Sequence, residues 1–386
     1  MCVAKIMFSL IRTELCGETA DQETIKGLSA DELSELYALS NAHDLAHIIG
    51  SALSKCGKLG SDLISEKFRR KAMLAVSRYE CLNYEFNRIC EELEAAEIPF
   101  LPLKGSVIRA FYPEPWLRTS CDIDVLVHPE NLEKATDLLV KRLEYTKCQL
   151  DTHDISLYAG NGVHLELHYD LLEKGTTKAA DVVSRNVWEY VSPKKNYVYW
   201  QEVSGEFFYF YHIAHMAKHF YTGGCGIRPF VDLWILDQLV GMDRVRQDAL
   251  LRQGNLLHFA NVVRKLSRIW FEREETDDVF RQMEEFILSG GVYGIKKNHI
   301  AVQQEKVGGR LKYTLARVFV HYDVINLQYP ILQKHRWLMP VMQVCRWCRL
   351  IFSGQTRRIM REMKYSYSIS PEDAENMRIF LNNIGL

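Results

Sequence analysis

Proline is scarce in this chain, ten residues in 386, and neither proline nor glycine interrupts the stretch from Asp62 to Ala96. One long helix is therefore permitted there, with Pro99 to stop it. No run of 18 apolar residues occurs, so no membrane-spanning helix is expected. The first segment, MCVAKIMFSLIRTELCG, is too short and too soon broken for a secretory signal. An excess of either charge is missing: 48 Lys and Arg stand against 49 Asp and Glu, a net of −1. Without a general basic field, a grip on long nucleic acid is not expected. The ten cysteines are scattered and form no disulfide framework; reduced thiols and a cytoplasmic location are the expectation. Cys345 and Cys348 make a CxxC with no second pair nearby, so a zinc ribbon is not supported and core-facing thiols on a helix are expected. Internal repeats and low-complexity tracts are absent as well.

What is present is a globular composition, 47% hydrophobic and 25% charged, over a length that allows two domains with ample core. The chain is organised around Leu101 to Val127, LPLKGSVIRAFYPEPWLRTSCDIDVLV. A short apolar run ends in Lys104, Gly105 and Ser106, a helix-compatible piece leads on to Arg118, and a second apolar run carries Asp122 and Asp124. In a strand, residues two apart share a face. Two carboxylates side by side are costly unless a cation sits between them. D-x-D also arises by chance on solvated edges, but Ile123, Val125, Leu126 and Val127 mark this strand as buried. An oxygen-only pair favours Mg²⁺ or Mn²⁺. Gly105 allows close backbone approach to a ligand, and a helix start after it offers N–H groups to phosphate. Lys104 and Arg118 add cations suited to phosphate oxygens.

Further on, VHLELHY places His164, Glu166 and His168 on one face of a strand, with Val163, Leu165 and Leu167 on the other. Gly-Ser opening a helix, Asp-Ile-Asp-Val on the next strand and a third carboxylate on a later one resemble the polymerase-β-like nucleotidyltransferase superfamily. LKGS, LRTSCDIDVLV, HLELH and a helical tail with HxxHxxxH and RPFVDLW are similar, more closely, to the bacterial uncharacterised nucleotidyltransferase family. The likeness covers roughly residues 80 to 240, and the tail more loosely. One departure from the superfamily pattern is the long gap between Ser106 and Asp122, which YPEPW fills as a loop.

The resemblance implies an α+β fold: a polymerase-β-like mixed sheet domain flanked by N-terminal helices and a large C-terminal helical domain. The expected divisions are 1–98, 99–204 and 205–386. It implies transfer of NMP from a Mg-NTP to an unidentified hydroxyl- or phosphate-bearing acceptor. Asp122, Asp124 and Glu166 would be catalytic and hold Mg²⁺ or Mn²⁺. Lys104, Gly105, Ser106, Arg118, His168, His215, His219 and Arg228 would surround the nucleotide. Two other readings stay open. A non-catalytic nucleotide- or partner-binding module, including an antitoxin-like role, could use the same fold. A metal hydrolase could use His212, His215 and His219, at i, i+3 and i+7 on one helical face, with Asp232 as a fourth ligand.

Local signals fill in the rest. Ser29 and Glu32 match a capping box. His43 and His47 are expected to pack. Pro129 marks a helix start, with Ala135, Leu138, Leu139 and Leu143 on one face. Strands are expected near 145–150 and 155–159. Asn161-Gly162 then turns the chain into the Glu166 strand as a hairpin. A helix is expected over 179–192, then a short strand at VYW and the residues that follow it. The glycine-rich stretch 289–309 reads as a mobile connection, and Arg346, Arg349, Arg357, Arg358 and Arg361 make the tail basic.

Overall fold

A computed structural model describes residues 3–150, 153–171, 177–239, 241–291, 300, 304, 308–352, 367 and 370–386. These fall into two units, Met1–Lys218 with Cys225–Val292, and His219–Gly224 with Tyr293–Leu386. The expected limits at 98 and 204 mark changes of secondary-structure class inside the first unit. Most of the glycine-rich stretch lies outside the described residues, as do Arg357, Arg358 and Arg361.

The first unit opens with α1 (Val3–Cys16), α2 (Gln22–Gly27), α3 (Ala30–Ala42), α4 (Ala46–Lys55) and the long α5 (Leu63–Ala95). Both halves of the Ser29–Glu32 capping box are formed. Ser29→Ala removes one of them, and we expect it to lower stability by about 1 kcal/mol, measured by urea unfolding. Gly50 sits in mid-helix on α4 for a packing reason. A Cβ there would lie 2.9 Å from the Phe68 carbonyl oxygen of α5, so a side chain would push the two helices apart.

The sheet follows. β1 (Phe100–Pro102), β2 (Asp122–Val127), β3 (Thr146–Leu150), β4 (Asp154–Tyr158) and β5 (His164–His168) are ordered β1-β2-β5-β4-β3. β2 and β5 run parallel and the other neighbours antiparallel. The Asn161-Gly162 turn forms as expected, with Gly162 at φ +82°. One face of the sheet is apolar. Ile123, Val125, Val127, Ile155, Leu157, Leu165 and Leu167 pack on Leu82, Ile89 and Leu93 of α5 and on Ala135, Leu139 and Leu143 of α7 (Leu132–Leu143). Residues 82, 89 and 93 recur at helical spacing, which is why a largely polar α5 still has one buried stripe. With the apolar residues on that face, period 2 turns Asp122, Asp124, His164, Glu166 and His168 to the other.

One local expectation is refined and one changes. The helix-compatible piece after Lys104 is short and gives way to the expected YPEPW loop. It is α6 (Gly105–Ile108) followed by 3₁₀ turns at Arg109–Phe111 and Pro115–Leu117, because Pro113 and Pro115 cannot continue an α-helix. The helix expected over 179–192 stops early. α8 (Lys178–Arg185) gives way to a 3₁₀ turn at Val187–Tyr190 and to β6 (Val191–Pro193), which pairs with β7 (Gln201–Val203). Pro193 biases Ser192 toward extended backbone, and that ends the helical run.

The remaining helices are α9 (Gly205–Tyr221), α10 (Arg228–Gln238), α11 (Arg244–Gln253), α12 (Leu257–Phe271) and α13 (Asp278–Gly290). The second unit, among its described residues, contains helices Arg310–Val318, Tyr322–Gln328, Met339–Phe352 and Pro371–Asn383. Cys345 and Cys348 are exposed rather than core-facing. The Gln343, Arg346 and Trp347 side chains of the same helix turn inward instead and bond carbonyls of Val318 and Val320. No described helix is long and apolar enough to cross a membrane.

Candidate active site

The parallel pairing of β2 and β5 builds the site. Asp122 stands opposite His164, and Asp124 opposite Glu166. Three carboxylates and two imidazoles therefore share one sheet face. Two groups of ligand atoms lie within 4.8 Å of one another among the described residues: Asp122 with His164 and Glu166, and Asp124 with Glu166 and His168.

Asp124 is buried, yet it keeps two cationic partners. Lys104 Nζ is 2.9 Å from its Oδ1, and His168 Nε2 donates to the same oxygen at 2.9 Å. Burial opposes ionisation of Asp124, but the Lys104 ammonium and the His168 hydrogen bond outweigh it and hold the carboxyl well below the usual range. His168 also lies 3.5 Å from Glu166 Oε2. That contact lowers the Glu166 pKa. Burial alone would discharge His168, but its bonds to Asp124 and Glu166 raise its pKa. Asp122 goes the other way. Burial, then the charges of Asp124 and Glu166, push its pKa up. Here, then, one carboxylate is held ionised while its neighbour resists charge, an imbalance that an added cation would relieve.

Lys104 reaches Asp124 from a backbone at φ 45° and ψ −119°. An L residue rarely adopts this conformation, and the strain sits at the turn from β1 into α6. Gly105 follows. A Cβ on it would meet the Ser120 Cβ at 3.1 Å, so any larger residue would crowd the loop that enters β2. The amides of Ser106 and Val107 bond the Leu103 and Lys104 carbonyls. The turn therefore offers phosphate fewer free N–H groups than its sequence implied. A cavity of about 620 Å³ borders Ser106, walled by Asn83, Phe86, Trp200 and Phe208 among others, and no carboxylate of the sheet face lines it.

The segment 117–121, leading into Asp122, is clamped residue by residue. His47 Nε2 donates to the Leu117 carbonyl at 2.8 Å. The Arg118 guanidinium grips Asp232 of α10, with Nε 2.7 Å from Oδ1 and Nη2 2.8 Å from Oδ2. Tyr112 Oη donates to the same Asp232 at 2.6 Å. Thr119 Oγ1 donates to Asp44, which also takes Arg228 Nη1 at 2.9 Å. Arg109 bonds the Gly105 carbonyl and the Ser120 hydroxyl, and burial pushes its pKa down to about 10. Arg78 caps the Ser120 and Cys121 carbonyls. The strand that carries Asp122 and Asp124 is entered from a loop with little freedom.

Of the cations expected at phosphate, only Lys104 touches a carboxylate of the sheet face. Arg118 and Arg228 are engaged in the clamp, although the Asp122 charge still acts on Arg118. The histidine face of α9 is occupied otherwise. His212 Nε2 donates to the Pro229 carbonyl at 2.9 Å, and Asp232 is taken by Arg118 and Tyr112. His215 lies 6.5 Å from the Tyr211 ring, ring centre to ring centre. Neither His212 nor His215 enters a group of three metal-ligating atoms among the described residues. His219 belongs to the second unit. His43 and His47 pack as expected, each bonded to a backbone carbonyl. Sequence reasoning missed Arg109, Arg78 and Asp44. Arg109, four residues after Gly105 at the end of the same short helix, was the one with a visible signal.

A model of the uncharacterised nucleotidyltransferase family matches residues 29–272, more than half of the chain. The chain belongs to this family. The match takes in the Gly-Ser turn, both strands with carboxylates and the whole clamp. No curated protein matches the chain. Membership supports a transferase of the nucleotidyl class, and the acidic and histidine cluster of the sheet face could bind a metal.

Proposed function

We propose that this protein transfers NMP from a metal-bound NTP to a hydroxyl- or phosphate-bearing acceptor in the cytoplasm. The observation that carries this reading is the parallel register of β2 and β5, which sets three carboxylates on one face beside a Gly-Ser turn. Asp122, Asp124 and Glu166 would hold Mg²⁺ or Mn²⁺. The donor set fits: oxygen ligands predominate, and Asp122 is under electrostatic strain that a cation removes. When bound, such ions neutralise triphosphate charge and make an acceptor hydroxyl easier to deprotonate.

The chain's own groups do the positioning. Lys104 neutralises Asp124 at rest and would turn to a phosphate oxygen once a metal takes over that carboxylate. Gly105 and Ser106 border the β- and γ-phosphates, and His168 orients Asp124 and Glu166. His215 is retained as a nucleotide contact. Arg118 and Arg228 act through the loop they hold and, for Arg118, through its charge near Asp122. Calorimetric titration of each NTP, with and without Mg²⁺, is the direct test. Binding should require the metal and disappear in Asp122→Asn. A complete lack of NTP binding at millimolar concentration would overturn the proposal.

One observation favours the second reading, a non-catalytic binding or antitoxin-like module. Lys104 and His168 already balance Asp124 without any metal. Under that reading a partner or nucleotide would bind equally well with a chelator present.

A further inference from the structure

The sheet face contains one group to which nucleotidyl transfer by three carboxylates gives no task, the His164 imidazole. It stands on β5 directly opposite Asp122. The Tyr158 ring of β4 stacks on it at 4.6 Å with 17° between the planes, which fixes the plane of the imidazole. Its Nε2 is buried and has no hydrogen-bond partner. A buried polar nitrogen left without a partner is unfavourable, and native structures rarely keep one without a reason. A ring nitrogen of His164 lies within 4.8 Å of carboxylate oxygens of both Asp122 and Glu166. His168, two residues on, differs in this respect, because its Nε2 already donates to Asp124.

We propose that His164 is a metal ligand alongside Asp122 and Glu166, and that it biases the site toward Mn²⁺ over Mg²⁺. This rests on the reading of the sheet face as a divalent-cation site. An imidazole nitrogen is a softer donor than a carboxylate. Mg²⁺ prefers oxygen and water, whereas affinity for nitrogen ligands rises from Mn²⁺ along the first transition row. The held ring plane means that little side-chain freedom is lost on ligation. The neighbouring carboxylates supply the charge, and His164 supplies selectivity among cations.

The test loads the full-length protein with Mn²⁺ and reads the electron spin-echo envelope modulation. Wild type should show coupling to a ¹⁴N nucleus. His164→Gln should lose it, and His168→Gln should keep it. Competition titration should show the ratio of Mn²⁺ to Mg²⁺ affinity falling roughly tenfold or more in His164→Gln. Labelling wild type with ¹⁵N-histidine should convert the coupling, a readout that needs no substitution and so survives any folding defect. Bound Mn²⁺ without nitrogen coupling in wild type would overturn the role of His164 and leave the carboxylate site standing. Coupling that persists in His164→Gln and vanishes in His168→Gln would overturn it too. Mn²⁺ binding indifferent to Asp122→Asn would overturn both this inference and the site it rests on.

Discussion

Asp122→Asn is expected to lower nucleotidyl transfer by about 10³-fold or more while leaving the protein as stable as wild type, or more so. The two effects have one cause. Burial and the charges of Asp124 and Glu166 already disfavour the ionised Asp122. A neutral, isosteric side chain removes that repulsion, so the folded state gains. The same change deletes a carboxylate from the proposed metal site. Metal stabilisation of transition-state charge contributes several kcal/mol, and each 1.4 kcal/mol is about tenfold in rate. Asp124→Asn should differ in stability. Asp124 is 3% exposed and bonded to both Lys104 and His168, so its loss leaves two cationic partners beside a neutral amide. Paired measurements of NMP incorporation and thermal midpoint on both variants check this. Full activity in Asp122→Asn, or a large drop in its midpoint, would contradict the assignment.

Asp232→Ala should cost about 3–5 kcal/mol of stability, although Asp232 is not among the residues assigned to chemistry. Its side chain is 2% exposed and that of Arg118 is 11% exposed, so the pair is nearly dry. Removing one partner of a buried pair strands the other charge, and that penalty, rather than the net value of the pair, is what the variant measures. The loss should extend to activity, because Arg118 fixes the loop that leads into Asp122. The pH dependence has a definite sign. Burial would raise the Asp232 pKa, but Arg118 more than offsets it and the folded value is lowered. The stabilisation is therefore present in full above the ordinary carboxylate value of about 4 and is lost as pH falls through the lower folded value. Urea unfolding of wild type and Asp232→Asn should show a constant gap near neutrality that narrows below about pH 4. A gap that widens on acidification would contradict the ion-pair account.

Much of the architecture was legible because its signals are local. Period-2 alternation in DIDVLV and HLELH fixed which side chains share a face. Ser29 with Glu32 announced a helix start, Asn161-Gly162 a hairpin, and the proline-free stretch from Asp62 a long helix. Each of these depends on residues a few positions apart, where backbone geometry alone sets the relation. The Asp122 and Asp124 pair was found the same way, and Glu166 by the alternation of HLELH together with the third carboxylate that the family resemblance calls for.

Relations across the chain were decided by the tertiary structure. Arg118 and Arg228 looked like phosphate cations because a guanidinium in a basic motif is ambiguous until its partner is known. Their partners, Asp232 and Asp44, lie 114 and 184 positions away in sequence. Lys104 lies on Asp124 only because β1 pairs with β2 and a strained turn aims it there. His164 gained its place through the parallel register with Asp122 and the stacked Tyr158, neither of which period-2 spacing reveals. The sequence by itself determined which residue types share a face and which chemistry they suit. The tertiary structure decided which charges are committed to one another, since that depends on burial and on pairing between strands and helices distant in the chain.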